Sequence, residues 1–483
     1  MTEAASLLDP ALNRLPDTVQ SIHLMGIGGT AMAALAGMLT EQGYQVSGSD
    51  NPLYPPMSDL LEKLGIPVGS GYRPDNLNHR PDLVVVGNVI SRNNPEARAL
   101  AEAGLPYLSM PQAIASLFLA SRRPLVIAGT HGKTTTASLL AAALHTAGSD
   151  PGFMIGGIVQ DFGSNYRLGN GEFFVVEGDE YDTAFFDKGS KFLHYRPEVA
   201  VITSIEFDHA DIFADLEAIK HSFRRFVSLL PPHGLLVANL DDPVVADIVA
   251  PARCPVQGYG RQAGRDWRIG SIDQRPGRTS FELYRRDERF ADVIIRQPGL
   301  HNCLNATAAV AVMNHLGFDR AALLAGCSAF TGVRRRQEIR GVIDDIIVID
   351  DFAHHPTAVR ETLNALRQAY AGRRLIAVFE PRSNSSRRSL FQREYASSFA
   401  AADLSIIKEP PILKETDRLD RLSAARLAED IGRSGGEAVA CTDTDSILTR
   451  LETIARPGDV IALLSNGGFD DIHRRLLAVL AER

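Results

Sequence analysis

The sequence predicts an α/β protein of three domains, each built on a mostly parallel sheet covered by helices. Two observations lead to this prediction. Short apolar strands alternate with helix-like runs along the chain, which is the pattern of parallel sheets. The chain has 483 residues, which allows about three domains at roughly 150 residues each. The pattern starts again near residues 124 and 332, so we place the domains at residues 1–121, 122–331 and 332–483.

The first domain is predicted to be Rossmann-like, after an N-terminal extension over residues 1–20. Its strands are expected at residues 22–25, 45–47 and 83–87, with a helix at 31–39. A strand, a glycine-rich turn and a helix in this order are typical of nucleotide-binding α/β folds.

The second and third domains repeat the alternation. Strands are predicted at residues 125–128, 173–177 and 199–203, with a helix at 134–145, and the polar stretch 260–289 is predicted to form an antiparallel edge with hairpins. In the third domain, which we also expect to be Rossmann-like, strands are predicted at residues 346–350, 375–379, 404–407 and 460–464.

The composition excludes several classes of function. The net charge is −8, so bulk binding to a nucleic-acid backbone is not expected. No apolar run reaches the ~18 residues needed to cross a bilayer, and the N-terminus lacks a basic segment followed by an apolar one. We therefore expect a cytoplasmic protein without a membrane partner. Its four cysteines form no paired motif and are expected to be reduced, buried thiols: Cys254, Cys303, Cys327 and Cys441.

A phosphate-binding loop is predicted between a buried strand and a helix of the second domain. Glycines allow backbone N–H groups to face a polyphosphate, and the helix N-terminus favours negative charge. Lys133 is expected at the outer phosphates and the Thr134 hydroxyl at Mg²⁺. The ATP-binding residues predicted here are Gly129, Thr130, His131, Gly132, Lys133, Thr134 and Thr135.

A second glycine loop follows the first predicted strand. It contains Gly26, Gly28 and Gly29 and opens a helix at about Thr30, and Asp50 ends the next strand. This pattern suits any diphosphate, so NAD, a sugar nucleotide and an ordinary tight turn all remain open at this point.

Acidic residues at strand ends of the second domain predict a metal site. Glu177 ends a predicted strand and starts an acidic run, and Asp208-His209 follows another strand. Carboxylate and hydroxyl oxygens suit Mg²⁺, and a neutral imidazole can join them. We predict Thr134, Glu177 and His209 as metal ligands, with a purely structural His209 as the alternative.

The order of these motifs resembles the Mur ligase family over nearly the whole chain. The resemblance rests on the phosphate loop, Glu177, Asp208-His209, and three later motifs: Gly299-Leu300-His301-Asn302 with Asn305, Thr331-Gly332 with residues 334–338, and residues 350–356. It implies a UDP-sugar-binding domain, a central P-loop ATPase domain and a C-terminal substrate domain. It also implies ATP-dependent amide-bond formation in which a carboxylate of UDP-N-acetylmuramate is first phosphorylated.

The resemblance also implies roles for individual residues. Asn302 and Asn305 are expected at the adenine, Asp351 near the ribose, and Arg336 at the ATP phosphates. The catalytic residues implied are Lys133, Glu177, His209, His354 and Arg336. The UDP-sugar-binding residues implied are Gly26, Gly28, Gly29, Thr30, Asp50, Asn88, Ser91, Asn94 and His131.

Four segments favour one branch of the family: residues 54–57, 181–188, 380–385 and 465–469. They resemble the branch that joins the tripeptide L-alanyl-γ-D-glutamyl-meso-diaminopimelate to UDP-N-acetylmuramate in peptidoglycan recycling, and the L-alanine-adding branch is the alternative. Asp470-Asp471 departs from the small residues expected there. The peptide-binding residues implied are Arg382, Asn384, Ser385, Ser465 and Asn466. We expect a monomer or a weakly associating homo-oligomer.

Two other classes explain less of the sequence. A nicotinamide-dependent dehydrogenase accounts for the first glycine loop but not for the phosphate loop. A non-catalytic nucleotide switch accounts for the phosphate loop but not for the paired asparagines or the His-His-Pro segment at residues 354–356.

Overall fold

The computed structural model of the chain describes residues 7–54, 57–207, 212–412 and 420–483. Three large sheets, one after another along the chain, divide these residues. The predicted fold class is confirmed: each large sheet is mostly parallel and has helices packed against it. The domain limits at residues 121 and 331 stay a prediction.

The first sheet has five parallel strands in the order β3-β2-β1-β4-β5. These strands are β1 (Ser21–Met25), β2 (Gln45–Asp50), β3 (Val68–Ser70), β4 (Leu83–Val86) and β5 (Tyr107–Ser109). The helices are α1 (Thr30–Glu41), α2 (Met57–Lys63), α3 (Pro95–Ala103) and α4 (Met110–Ile114), followed by a π-helical turn at Ala115–Leu119. The central strand β1 is almost fully buried, and its apolar residues Ile22, Leu24 and Met25 made it predictable.

The second sheet has ten strands in the order β17-β16-β15-β14-β13-β12-β6-β9-β7-β8. Its parallel part contains β6 (Arg123–Ala128), β7 (Gly152–Val159), β9 (Phe173–Gly178), β12 (Val199–Ile202), β13 (Leu235–Asn239) and β14 (Val256–Gly260). The strands β15 (Trp267–Arg275), β16 (Arg278–Arg285) and β17 (Glu288–Ile295) pair as antiparallel hairpins at one edge, as the sequence predicts. The short strand β8 (Ser164–Arg167) closes the other edge.

A separate two-stranded hairpin, β10 (Asp182–Ala184) with β11 (Asp187–Ser190), lies outside this sheet. The helices of the second domain are α5 (Lys133–Thr146), α6 (Leu216–Val227), α7 (Pro243–Ile248), α8 (Leu300–His315) and α9 (Arg320–Ala329). Helices α5 and α8 are buried along most of their length because they pack against the sheet and each other.

The third sheet has six strands in the order β18-β19-β23-β20-β21-β22, of which only the β18–β19 pair is antiparallel. The strands are β18 (Glu338–Ile343), β19 (Ile346–Asp351), β20 (Leu375–Phe379), β21 (Leu404–Lys408), β22 (Ala438–Cys441) and β23 (Val460–Leu464). The helices are α10 (Pro356–Ala369), α11 (Gln392–Ser398), α12 (Ala424–Arg433), α13 (Thr444–Ile454) and α14 (Ile472–Ala481).

Five 3₁₀ turns complete the described elements: Pro10–Leu12, Pro74–Leu77, Lys191–His194, Ser389–Phe391 and Phe469–Asp471. All four cysteines are free thiols, and three of them are buried. Among the residues the structure describes, no helix combines the length and the apolar character that crossing a bilayer requires.

Candidate active site

The phosphate loop connects β6 to the first turn of α5, and its geometry depends on two glycines. Gly129 has a φ of +131° and Gly132 a φ of +85°, a region that favours glycine. A Cβ on Gly129 would lie 2.2 Å from Thr203 Oγ1, and a Cβ on Gly132 would lie 2.6 Å from Asn305 Oδ1. The loop therefore needs glycine at both positions, and it leads straight to the N-terminus of a 14-residue helix.

Lys133 is buried at the end of this loop, and its ammonium group is held by a backbone carbonyl and a carboxylate. Its Nζ donates to the Gly129 carbonyl at 2.6 Å and to Glu180 Oε2 at 2.8 Å. Burial by itself would lower the pKa of Lys133, but nearby carboxylates outweigh burial, Glu180 above all, and the pKa rises. The side chain is thus a permanent cation at the helix N-terminus, which suits a phosphate.

Thr134 and Glu177, two of the predicted metal ligands, contact each other, and their metal-binding role stays a prediction. Thr134 Oγ1 donates to Glu177 Oε1 at 2.9 Å, and the Gly156 N–H donates to Glu177 Oε2 at 2.7 Å. Burial raises the pKa of Glu177, and the charge of Asp179 adds to the increase. A desolvated carboxylate beside a hydroxyl is a donor set that fits Mg²⁺. The third predicted ligand, His209, lies outside the described residues, as do Asp208 and Asp211.

Arg336 reaches this pair from the third domain. Its Nη2 lies 3.4 Å from Thr134 Oγ1, and its guanidinium lies over the Phe352 ring at 4.7 Å from the centroid. Burial lowers the pKa of Arg336, although the charges of Asp351 and Glu177 oppose this shift. The structure therefore brings a third-domain cation to Thr134 and Glu177 of the second domain, the two residues predicted as metal ligands.

Asn302, Asn305 and Asp351 all lie at the contact between the two domains. Asn302 Nδ2 donates to Gln337 Oε1 at 3.1 Å, and Asn305 Nδ2 donates to Asn302 Oδ1 at 3.3 Å. Asp351 accepts the Gln337 N–H at 2.7 Å. Gln337, which sequence reasoning did not select as a site residue, thus joins both sides, and the adenine and ribose roles stay predictions.

A cleft of about 1050 Å³ opens between the second and third domains. The predicted ATP-binding residues from Thr130 to Thr135 line it, as do Glu177, Arg336, His354 and Asp351. The third domain contributes four of the predicted peptide-binding residues: Arg382, Asn384, Ser385 and Asn466. One cleft therefore contains both the phosphate loop and the proposed peptide residues.

The peptide end of the cleft depends on a close contact between two loops. Arg382 lies over Gly467, where a Cβ would be 1.9 Å from the Arg382 Cδ. Asn466 Oδ1 is buried and has no hydrogen-bond partner among the described residues, so it is an available acceptor. Ser465, by contrast, turns inward and donates to Glu380 Oε2 at 2.6 Å. Its side chain supports the loop and does not line the cleft.

Asp470, which stands where a small residue was expected, belongs to a polar network beside this loop. Its Oδ2 accepts from Lys408 Nζ and from Thr444 Oγ1, both at 2.6 Å. Phe469, Asp470 and Asp471 all have φ between +48° and +57°, and aspartate tolerates that region better than most residues. These bonds fix the Asp470 side chain in the turn between β23 and α14.

The first glycine loop lies at the carboxyl ends of β1 and β2, away from the cleft. The Gly28 N–H donates to Asp50 Oδ2 at 2.7 Å, and Tyr72 Oη donates to Asp50 Oδ1 at 2.7 Å. A Cβ on Gly28 would lie 2.4 Å from Leu53 Cδ2 and 2.9 Å from Asp50 Oδ2, so a larger residue there would have to displace these side chains. Gly26 and Gly29 belong to the same turn, and Thr30 begins α1.

The other predicted UDP-sugar residues have different positions. Asn88 and Ser91 are exposed after β4. Asn94 is buried as the N-cap of α3, where its side chain accepts from the Glu96 and Ala97 N–H groups. An asparagine before a proline at the start of a helix is a capping signal, so its side-chain oxygen is already engaged. His131 lies in the cleft and not in this loop.

Two residues that were not predicted as site residues face His131. Glu206 Oε2 lies 3.1 Å from His131 Nε2 and 3.4 Å from His355 Nδ1. The predicted His354 lines the cleft beside them, and its Nδ1 lies 3.0 Å from the Phe352 carbonyl oxygen. The only signals in the sequence were the position of Glu206 after a strand and the doubled histidine.

Comparison with known proteins matches all three domains. The family models that match are the Mur ligase family catalytic domain at residues 21–122, the Mur ligase middle domain at 127–313 and the Mur ligase glutamate ligase domain at 334–467. The UDP-N-acetylmuramate–L-alanyl-γ-D-glutamyl-meso-2,6-diaminoheptandioate ligase of Escherichia coli is 39% identical over 96% of this chain and 98% of its own. The UDP-N-acetylmuramate–L-alanine ligase of Desulforamulus reducens is 36% identical over 96% and 98%.

A solved structure is similar over the same extent. The murein peptide ligase of Psychrobacter arcticus covers 96% of this chain and 99% of its own, with a TM-score of 0.70 and 36% identity. A phosphate loop in a cleft closed by a second α/β domain defines a nucleotide-dependent enzyme. The chain belongs to the Mur ligase family, as the sequence motifs indicated, and is an ATP-dependent ligase.

Proposed function

We propose that this protein joins the tripeptide L-alanyl-γ-D-glutamyl-meso-diaminopimelate to UDP-N-acetylmuramate in peptidoglycan recycling, using ATP and Mg²⁺ in the cytoplasm. The observation that carries the proposal is the single cleft that contains the phosphate loop at one end and Arg382, Asn384 and Asn466 at the other. Relatives that use this tripeptide, at 39% and 36% identity, support the choice of substrate.

The reaction needs an activated carboxylate, because a carboxylate does not react with an amine at neutral pH. The lactyl carboxylate of the sugar nucleotide attacks the γ-phosphorus, and ADP leaves with the electron pair of the broken P–O bond. The amine of the peptide then attacks the carbonyl carbon of the acyl phosphate. A C–N bond forms, and inorganic phosphate leaves.

The residues at the phosphate end suit the first step. Lys133 holds a positive charge in the loop, and Arg336 brings a second cation within 3.4 Å of the Thr134 hydroxyl. Cations placed where charge develops are the main means of catalysing phosphoryl transfer. Thr134 and Glu177 would hold Mg²⁺, which supplies further charge neutralisation at the phosphates.

The residues at the other end suit a peptide that has several carboxylates. A guanidinium binds a carboxylate through two parallel hydrogen bonds, and Arg382 is exposed at the cleft. Asn466 offers a buried acceptor to an N–H group of the peptide. A single alanine needs only one carboxylate clamp, so this wider polar surface favours the tripeptide.

An assay of ADP release tests the proposal. With UDP-N-acetylmuramate and Mg²⁺ present, we expect the tripeptide to support turnover at a much higher kcat/KM than free L-alanine. Lys133→Ala is expected to abolish turnover while binding of the sugar nucleotide, measured by calorimetry, persists, because the first glycine loop lies in another domain. If L-alanine is the better acceptor, the protein is an alanine-adding ligase.

A further inference from the structure

Three side chains without a role in the steps above meet in the cleft beside the phosphate loop. His131 Nε2 lies 3.1 Å from Glu206 Oε2, and His355 Nδ1 lies 3.4 Å from the same oxygen. The centroids of the two imidazole rings are 4.9 Å apart, and the ring planes are tilted by 43°. His131 and Glu206 belong to the second domain, and His355 belongs to the third.

Backbone contacts tie both partners of the His131–Glu206 pair to the phosphate loop. The Glu206 N–H donates to Thr130 Oγ1 at 2.9 Å, and the His131 N–H donates to Ser204 Oγ at 3.1 Å. Because the carboxylate can only accept, a neutral His131 must donate its Nε2–H to Glu206 and keep a lone pair on Nδ1. Within the described part of the chain, that Nδ1 has no hydrogen-bond partner.

Glu206 remains an anion in this position. Burial by itself would raise the pKa of Glu206, but the hydrogen bond from His131 and the charges of both histidines outweigh burial and lower the pKa to about 2. Thr357 Oγ1, at the start of α10, donates to Glu206 Oε1 at 3.1 Å. A carboxylate fixed behind an imidazole selects its tautomer and stabilises the imidazolium form, as in hydrolytic triads.

We propose that His131 is the general base that deprotonates the incoming amine, and that Glu206 is its positioning residue. The inference rests on the proposed ligase reaction, in which the second step needs a neutral amine. An α-amino group has a pKa of roughly 7.7–8.0, so the acceptor arrives mainly as an ammonium ion without a lone pair.

In the second step, a proton moves from the ammonium group of the acceptor to His131. An N–H bond of the ammonium breaks, its electron pair stays on nitrogen, and the proton passes to His131 Nδ1. The nitrogen lone pair then forms the C–N bond with the acyl carbon, and phosphate leaves with the electrons of the broken C–O bond. The remaining extra proton on nitrogen is lost to solvent as the amide forms.

The location of the pair agrees with this role. His131 is two residues from Lys133 in the same loop, and both residues line the cleft. Because Thr357 and His355 come from the third domain, the contact between the domains completes the pair. Deprotonation is then confined to the complex in which both substrates are enclosed.

Two histidines and a carboxylate are also a set of side chains that can bind a divalent metal ion. His355 Nδ1 already accepts the Thr357 N–H at 3.3 Å. Among the residues that the structure describes, this leaves two good ligands in the group, whereas zinc sites in proteins use three or four. The geometry therefore favours a base over a metal site.

Hydroxylamine separates the two steps experimentally. It is a small nucleophile that is neutral at neutral and mildly alkaline pH, so it captures the acyl phosphate without a base. We expect His131→Gln and Glu206→Gln to lower kcat with the peptide acceptor by about 10²–10³-fold, within the range typical of general bases. For Glu206→Gln, hydroxylamine-dependent ADP release and the KM for ATP are expected to stay within about threefold of the parent values.

The matched control is His145→Gln, an exposed histidine on α5 outside the cleft, which is expected to leave both rates unchanged. If the hydroxylamine rate falls as far as the peptide rate, His131 acts in the first step and the proposal is overturned. Tight zinc binding by the parent that Glu206→Gln removes would also overturn it. If the parent uses L-alanine instead of the tripeptide, only the proposed substrate fails, and the same comparison is made with alanine.

Discussion

Arg336 is the residue whose replacement tests the domain arrangement most directly. Its guanidinium crosses from the third domain to within 3.4 Å of Thr134 Oγ1 and lies against Phe352. It also faces the charges of Asp351 and Glu177. We expect Arg336→Met to keep the apolar contact with Phe352 and to remove the cation from the phosphate end of the cleft.

The size of the effect follows from the two hydrogen bonds that a guanidinium fork can make to a phosphoryl group. Each bond to a charged group is worth about 1.5–3 kcal/mol, so two contribute roughly 3–6 kcal/mol. At about 1.4 kcal/mol per decade, kcat should fall by roughly 10²–10⁴-fold. Arg336→Lys keeps the charge but not the fork, and an intermediate loss is expected.

The assay is ADP release at saturating UDP-N-acetylmuramate, peptide and Mg²⁺, with kcat and the KM for ATP measured separately. Arg334→Met is the matched control, because Arg334 lies two residues away and is exposed. Thermal melting of each variant shows whether it is folded. A kcat for Arg336→Met within threefold of the parent would refute the idea that the third domain supplies a catalytic cation.

Three further outcomes are expected. Glu177→Gln should raise the Mg²⁺ concentration needed for half-maximal activity, because Glu177 and Thr134 are the two oxygen ligands proposed beside the loop. An unchanged Mg²⁺ titration would show that Glu177 has only a structural role. Arg382→Ala should lower kcat/KM for the tripeptide by about 10- to 100-fold, which is the effect of losing one hydrogen bond to a charged group. The KM for ATP should change little. An equally large rise in the KM for ATP would contradict a role in peptide binding. Burial lowers the pKa of His301 to about 4, so the imidazole resists protonation while the protein is folded. Stability should then fall as the pH drops from about 6.5 toward 4, by up to about 3 kcal/mol, and urea unfolding should show a smaller pH dependence for His301→Gln.

The strand and helix positions were largely predictable, because they depend on local patterns of apolar residues. The strands at residues 375–379 and 460–464 have the predicted bounds, and the helix after the phosphate loop begins one residue before its predicted start. The phosphate loop itself was predictable for the same reason: its glycines, its lysine and the flanking strand and helix all lie within a short segment.

The roles of single polar side chains were harder to predict. Asn94 is predicted at the sugar nucleotide, and that role stays a prediction; the structure adds that its side-chain oxygen caps α3, which the sequence analysis did not anticipate. Ser465 was expected at the peptide, but it donates to the buried Glu380. A short polar side chain has several possible partners within reach, and only the packed structure decides which partner it contacts.

By itself the sequence determined three α/β domains, a phosphate loop and membership in one family of ligases, because each depends on residues close together in the chain. Only the tertiary structure decided that Arg336 meets Thr134, which is 202 positions away, and that Glu206 lies between His131 and His355. These contacts depend on how the third domain packs against the second. Local periodicity does not encode that packing, since it results from burial and charge pairing across the whole interface.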